Sequence, residues 1–253
     1  MIHPTAIVDS KLPDDVEIGP YAVIGHDVRV GKAVRIGPHA FVTGPAFIGD
    51  HVSIGPSAVI GTDPQDLKYA GERTEVIIGS GTVIREFANI NRGTAETGKT
   101  TIGTDSLIMA YVHIAHDCII GDRVIIANAV NMAGHVEIGN DVTIGGVVPI
   151  HQFVRIGDHA MIGGGYRVSK DVPPFILAGG TPLRVLALNR VGLRRKGFSP
   201  LRLDSLDRVF RFLFREEGTL TSKVRELQKN SSTSGDAEQL ADFIISSSRG
   251  VIS

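Results

Sequence analysis

The chain has no tryptophan, one cysteine and only 6% aromatic residues. A lone thiol, Cys118, rules out a disulfide scaffold, and a cytoplasmic location is expected. No run of about 18 apolar residues occurs, so no membrane span is expected. The start, Met1-Ile2-His3-Pro4-Thr5, lacks the basic-then-apolar order of a signal peptide. A net charge of −1 provides no global field for nucleic acid, and no nucleic-acid partner is expected. What the chain does have is 30 glycines in 253 residues and an abundance of isoleucine and valine. That composition suits a β-branched core in one large domain with room for an appendage.

The isoleucines and valines recur every six residues. One frame runs Ile18, Ile24, Val30, Ile36, Val42, Ile48, Ile54 and Ile60. It resumes at Ile78, Ile84 and Ile90, and again from Ile102 through Ile162 to Val168. All 23 positions are aliphatic and 19 are isoleucine. Helices need a period near 3.6 and half-buried strands a period of 2, so neither explains six as one continuous element. A coil of short strands joined by corners does, with three hexads to each 18-residue turn and turns stacked about 4.8 Å apart. Glycine often follows the aliphatic, as at Gly19, Gly37, Gly55 and Gly121. It is expected there to permit the tight corner.

Two segments break the frame, 61–77 and 95–101. Because the frame resumes unshifted, both are expected to be loops at corners, where function often resides. After Val172-Pro173-Pro174 the repeat stops. Ser199-Pro200 predicts a helix start, with Leu203, Leu206, Val209, Phe210, Leu213 and Phe214 on one face. Further helices are expected around Lys223–Lys229 and Ala237–Ser246, with a loop over Asn230–Gly235. The fold class is therefore mainly β: a parallel β-helix over residues 1–180 and a small α-helical domain over 181–253.

Of nine histidines, His26, His39, His51 and His159 fall at outward positions of ordinary hexads and read as surface residues. The run His113-Ile114-Ala115-His116-Asp117-Cys118 differs. Stepping by 18 from His116 reaches Gly134 and then Gln152; stepping from Asp117 reaches His135 and Phe153. His151 adjoins Gln152. These residues gather at one corner within about 10 Å along the axis. A neutral imidazole can take a proton from a hydroxyl near pH 7, and a carboxylate can orient it. The bare backbone N–H of Gly134 suits an oxyanion. His116, Asp117 and Gly134 are thus the catalytic candidates. A zinc site built from histidines, as in β-helix hydratases, is the alternative from another class, and a non-catalytic scaffold is the third.

Several motifs resemble the family of bacterial UDP-N-acetylglucosamine O-acyltransferases, which are hexapeptide-repeat transferases. They are Pro64-Gln65-Asp66-Leu67-Lys68-Tyr69-Ala70-Gly71-Glu72, Ile84-Arg85-Glu86, Asn91-Arg92-Gly93-Thr94 and His113–Cys118. To these add Ala133-Gly134-His135-Val136, Val148–Phe153, Asp171-Val172-Pro173-Pro174 and Gly192–Ser199. The resemblance spans roughly residues 10–215. It implies a left-handed coil and a homotrimer with sites between subunits. It also implies transfer of a 3-hydroxyacyl chain from acyl carrier protein to the 3-hydroxyl of UDP-N-acetylglucosamine, the first step of lipid A biosynthesis, without a cofactor or metal.

The resemblance implies that His116 is the base, that Asp117 orients it and that the Gly134 N–H holds the oxyanion. The resemblance assigns Asp66, Lys68, His113, His135, His151, Gln152, Asn189 and Arg195 to substrate binding. It assigns Gly164 and Tyr166 to measuring the acyl tail. A 3-amino sugar nucleotide is the alternative acceptor. Leu107 and Ile125, outward and one coil apart, are a candidate interface stripe. From Arg184 to Arg215 nine basic residues face two acidic ones, a candidate surface for the acidic carrier protein. Lys196 stands where family members commonly carry arginine, with loss of bidentate geometry.

Overall fold

The computed structural model describes residues 1–229 and 235–253. Short strands stack into three parallel sheets, the faces of a prism. The first face runs from Glu17–Ile18 to Met161–Ile162 before its terminal strands, the second from Ile7–Val8 to Pro149–Ile150, and the third from Val28–Val30 to Arg155–Ile156. Register is the 18-residue step: Ile36 pairs Ile54, Ile108 pairs Ile126, and Ile114 pairs Met132. Every frame aliphatic is buried except Val30, which is partly exposed. Each buried isoleucine contributes on the order of 1.5–3 kcal/mol.

The two excursions appear as jumps in register. Ile60 pairs Ile90, and Ile78 pairs Ile102, both wider than 18 residues. The loops are inserted between coils that otherwise stack in phase.

The glycines have a different purpose from the one expected. The residue in left-handed backbone lies three positions after the aliphatic, and it is usually not glycine: Tyr21, Asp27, His39, Asp117, His135 and Phe153 all have φ near +60°. The glycine directly after the aliphatic faces the next coil. A Cβ on Gly37 would lie 2.8 Å from Pro56 N, and one on Gly55 2.7 Å from Glu86 N. Close stacking, and not turn geometry, excludes a side chain there.

Past Ile162, isolated bridges join Val168 to Ile150 and Val172 to Ile156. The strand Ile176–Gly179 stacks parallel on Met161–Ile162, and Arg184–Leu188 pairs with it antiparallel. Four helices follow: α1 (Arg190–Arg195), α2 (Pro200–Phe214), α3 (Leu220–Lys229) and α4 (Gly235–Ile245). Ser199 caps α2, its side chain accepting the Arg202 N–H, and Pro200 occupies the first turn as expected. Leu203, Leu206, Phe210 and Leu213 bury the anticipated face. Leu213, Val224, Leu240 and Ala241 form a second small core. Of the loop expected over Asn230–Gly235, residues 230–234 lie outside the described residues, and Gly235 is already the first residue of α4. Helix α1 was not expected; it buries only Leu193, so it has no apolar stripe to betray it.

Candidate active site

The second face delivers His113–Ile114 into a corner that lacks the glycine found at other corners. Ala115 takes that place, and its N–H reaches Met132 O at a long 3.3 Å. His116 follows, half-buried, and its Nδ1 lies 2.7 Å from Asp117 Oδ2. The adjacent coil places His135 edge-on to His116, ring centroids 5.2 Å apart, and Phe153 stacks on His135 at 4.5 Å. The columns expected from the 18-residue step are both present.

Asp117 is buried, with left-handed backbone (φ 61°). Its carboxylate accepts from Thr94 N–H (3.0 Å), Thr94 Oγ1 (2.7 Å), Thr97 Oγ1 and the His116 ring. Its own N–H donates to Thr100 Oγ1 (2.9 Å). Burial pushes the carboxyl pKa up. The hydrogen bonds from Thr97, His116 and Thr94 outweigh burial and hold it below the ordinary carboxylate range. Stability linked to this group is present above the unfolded carboxylate range and is lost as pH falls through its lower folded value.

Asp117 thus stays anionic wherever His116 would act as a base. Replacing Thr94 and Thr97 by valine removes the hydroxyl donors. The acid limb of the pH–rate profile is then expected to move to higher pH. A profile unchanged in the double variant would show that these donors do not set the Asp117 charge.

His116, Asp117 and His135 offer ligand atoms within 4.8 Å of one another, the geometry a zinc ion could use. The donor set does not fit. Four hydrogen bonds occupy the Asp117 oxygens, and a metal would have to strip them.

Gly134 lies directly against the His116 ring. A Cβ on it would sit 2.5 Å from His116 Cε1 and 2.8 Å from Nε2. Its N–H has no acceptor among the described residues. The equivalent N–H at a neighbouring corner is closed by the next coil: Thr104 N donates to Asp122 Oδ1 (2.7 Å), Asp122 N to Asn140 Oδ1 (2.8 Å) and Asn140 N to Asp158 Oδ1 (2.7 Å). Among the described residues no such ladder closes the histidine corner. An open donor beside an imidazole held by a buried carboxylate can activate a hydroxyl and stabilise an oxyanion.

The other expected contacts are dispersed. His113 is outward on the second face, in register with Asn89 and Asn131. Burial lowers its pKa, opposed by the Asn89 backbone and aided by the charge of His116, so it is neutral near pH 7. His135 Nε2 lies 3.4 Å from Glu96 Oε2. His151 follows Ile150 one coil beyond Ala133, and Gln152 beside it is exposed.

Asp66 and Lys68 are on the long loop, where Asp66 Oδ1 accepts the Lys68 N–H at 3.0 Å. Arg92 holds that loop by donating to Gly61 O (2.9 Å) and Tyr69 Oη (2.7 Å). Neither Asp66 nor Lys68 bonds to the histidine cluster of the same chain. Gly164, packed over Gly146, and Tyr166, whose ring lies by Gly163 and Gly179, belong to the corner before the second face.

Asn189 and Arg195 line a separate cavity of about 540 Å³ with Asp141, His159, Val191 and Lys196. Asn189 is buried and caps α1: its Oδ1 accepts the Gly192 N–H (3.2 Å) and its Nδ2 donates to His159 O (2.9 Å). His159, read as a surface residue, instead stacks on Phe175 and meets Phe198 edge-on. Lys196 is committed to Asp141 at 2.7 Å. Burial raises the Asp141 pKa, but Arg123 and Lys196 bring it down to about 2. Arg190, also in the lining, pairs with Asp204 and Asp207, so among the described residues Arg195 is the cation of this cavity without an ion-pair partner.

Comparison with known proteins decides the family. The family model described as Udp N-acetylglucosamine O-acyltransferase; Domain 2 matches residues 171–252. The bacterial transferase hexapeptide (six repeats) model matches 9–44 and 99–134. The acyl-(acyl-carrier-protein)--UDP-N-acetylglucosamine O-acyltransferase of Thiobacillus denitrificans is 46% identical, across 99% of this chain and 98% of its own. That of Syntrophobacter fumaroxidans is 45% identical, across 99% of both. The solved UDP-N-acetylglucosamine acyltransferase of Campylobacter jejuni superposes with a TM-score of 0.95 at 41% identity, over 100% of this chain and 99% of that one.

The chain belongs to the UDP-N-acetylglucosamine O-acyltransferase family. Its coil is the left-handed parallel β-helix of that family.

Sequence reasoning missed Thr97, Thr100 and Glu96 in this corner. They lie on or beside the second excursion, where no periodic frame assigns a direction to a side chain. Thr94 was named only as part of a motif. Clustered threonines facing a buried aspartate were the available signal.

Proposed function

We propose that the protein transfers a (R)-3-hydroxyacyl group from acyl carrier protein to the 3-hydroxyl of UDP-N-acetylglucosamine. The observation that carries this is the His116–Asp117 pair at 2.7 Å beside the open Gly134 N–H, in a chain of this family. His116 takes the proton of the 3-hydroxyl as its oxygen attacks the thioester carbonyl. The tetrahedral oxyanion is stabilised by the Gly134 N–H. Collapse breaks the carbon–sulfur bond, and the departing thiolate takes the proton back from His116. Asp117 stays ionised and orients the ring.

Other groups fit the same reading. Arg195 suits the diphosphate, and Asn189 and His159 border the same cavity. Of the nine basic residues between Arg184 and Arg215, Arg190, Arg202 and Arg211 pair with aspartates. Lys196 pairs with Asp141, and Arg215 donates to Leu186 O. Arg184, Arg194 and Arg208 have no such partner among the described residues and supply the carrier-docking charge, which leaves Arg195 for the diphosphate. Gly164 and Tyr166 measure the tail. A cytoplasmic site of action fits the single buried cysteine. No helix among the described residues is long and apolar enough to cross a membrane.

We place the site between subunits of a homotrimer, with Asp66 and Lys68 reaching the neighbour's histidines. Leu107 and Ile125 pair in register on the first face, Ile125 37% exposed. Light scattering is expected to give three times the 27.0 kDa chain mass; a monomer would contradict the shared site. The reaction is tested by incubating protein, UDP-N-acetylglucosamine and 3-hydroxyacyl carrier proteins of several lengths. An ester at the sugar 3-oxygen, seen by mass and NMR, is expected. Absence of product with every donor overturns the reading.

A further inference from the structure

The C-terminal segment returns to the end of the coil and is pinned there. Asp171 N donates to Gly250 O (3.2 Å), Ile252 N to Asp171 O (2.9 Å), and Ser247 Oγ to Asp171 Oδ2 (2.7 Å). Val251 bridges Asp171 in parallel, and Ile252 is buried. Between these anchors lies Arg249. Its Nη2 is 3.2 Å from Nδ1 of His151 and 3.4 Å from Ser169 O. Its Nε is buried without a hydrogen-bond partner among the described residues.

His151 Nδ1 also lies 3.2 Å from Gln152 O. The two neighbours demand opposite protonation. A carbonyl oxygen bonds only to Nδ1–H, whereas a guanidinium is a donor only and bonds only to an Nδ1 lone pair. The bond from the charged donor is the stronger of the two. It leaves the single proton of neutral His151 on Nε2.

We propose that Arg249 is a positioning residue that fixes the Nε2–H tautomer of His151, so that His151 presents a hydrogen-bond donor to an acceptor oxygen of the bound sugar nucleotide. The identity of that ligand rests on the function proposed above; the tautomer does not. Without Arg249, the Gln152 carbonyl captures Nδ1–H, and Nε2 turns from donor to acceptor. A substrate oxygen opposite it then faces a lone pair.

The test is nitrogen-15 NMR of the histidine rings in the full-length protein above the histidine titration range, with His151 assigned from its loss in His151→Asn. The wild-type ring is expected as Nε2–H and the Arg249→Met ring as Nδ1–H, with Arg249→Lys retaining Nε2–H. In acyl transfer, Arg249→Met is expected to raise KM for UDP-N-acetylglucosamine about tenfold, the size of one lost hydrogen bond, with kcat little changed. Arg249→Lys should recover most of that loss. A wild-type His151 protonated on Nδ1 overturns the proposal whatever the variants do. So does an Arg249→Met protein with unaltered KM. A wild-type protein that transfers no acyl group sinks the functional reading alone, because the NMR result is read without turnover.

Discussion

Replacing His116 by alanine is expected to lower kcat for acyl transfer by about 10³-fold, within the range for losing a general base. The fold should survive, because the ring contributes nothing to the aliphatic interior: the inward residue of this hexad is Ile114, fully buried, while His116 faces outward over Gly134. The unfolding midpoint is therefore expected close to that of the wild type, and the loss should fall on kcat far more than on KM. No neighbour can replace the base. His135 lies 3.7 Å from Asp117, beyond hydrogen-bond distance, and has its Nε2 toward Glu96. Steady-state kinetics with a melting curve decide this. A variant with kcat within tenfold of wild type would remove His116 from the chemistry.

Gly134→Ala is expected to cost about 100-fold in kcat with almost no change in the unfolding transition. The backbone there does not have the positive φ that would penalise alanine. The obstacle is the ring: the added methyl would lie 2.5 Å from Cε1 and 3.0 Å from Nδ1 of His116. The imidazole can yield only by leaving Asp117 or pressing into His135. Displacing a catalytic group by about 1 Å is worth a loss of this order. A glycine that merely lined the corner would tolerate the change. An alanine variant with unaltered kcat would show that the position of the His116 ring over Gly134 does not matter.

Much of this was legible in the sequence, for a physical reason. A hexad frame fixes which residues point inward, and the 18-residue turn then fixes which outward residues share a column. That arithmetic placed His116 over Gly134 and Asp117 beside His135 without coordinates. It does not extend to residues outside the frame. Thr97 reaches Asp117 from an excursion with no period and Thr94 from the residue just before it, and Arg249 reaches His151 from a tail 98 residues away. His159 was misjudged because an outward position on the coil became an inward one once Phe198 covered it. The glycines were assigned correctly and for the wrong reason: their absent Cβ serves the neighbouring coil, while residues such as Tyr111 and Asp117 take the left-handed turn. A count along the chain also cannot see which basic residues are paired across it: Asp141 and Asp236, both outside the basic stretch, hold Lys196 and Arg202.

The proposed reaction is direct transfer: His116 activates the sugar hydroxyl, and no side chain carries the acyl group. The only thiol cannot serve as a carrier, since Cys118 is fully buried and burial pushes its pKa up to about 12. Initial velocities measured while both UDP-N-acetylglucosamine and the acyl carrier protein donor are varied test this most directly. Direct transfer predicts double-reciprocal lines that intersect, as when both substrates are bound before chemistry. Parallel lines, the mark of an acyl-enzyme intermediate, would contradict it.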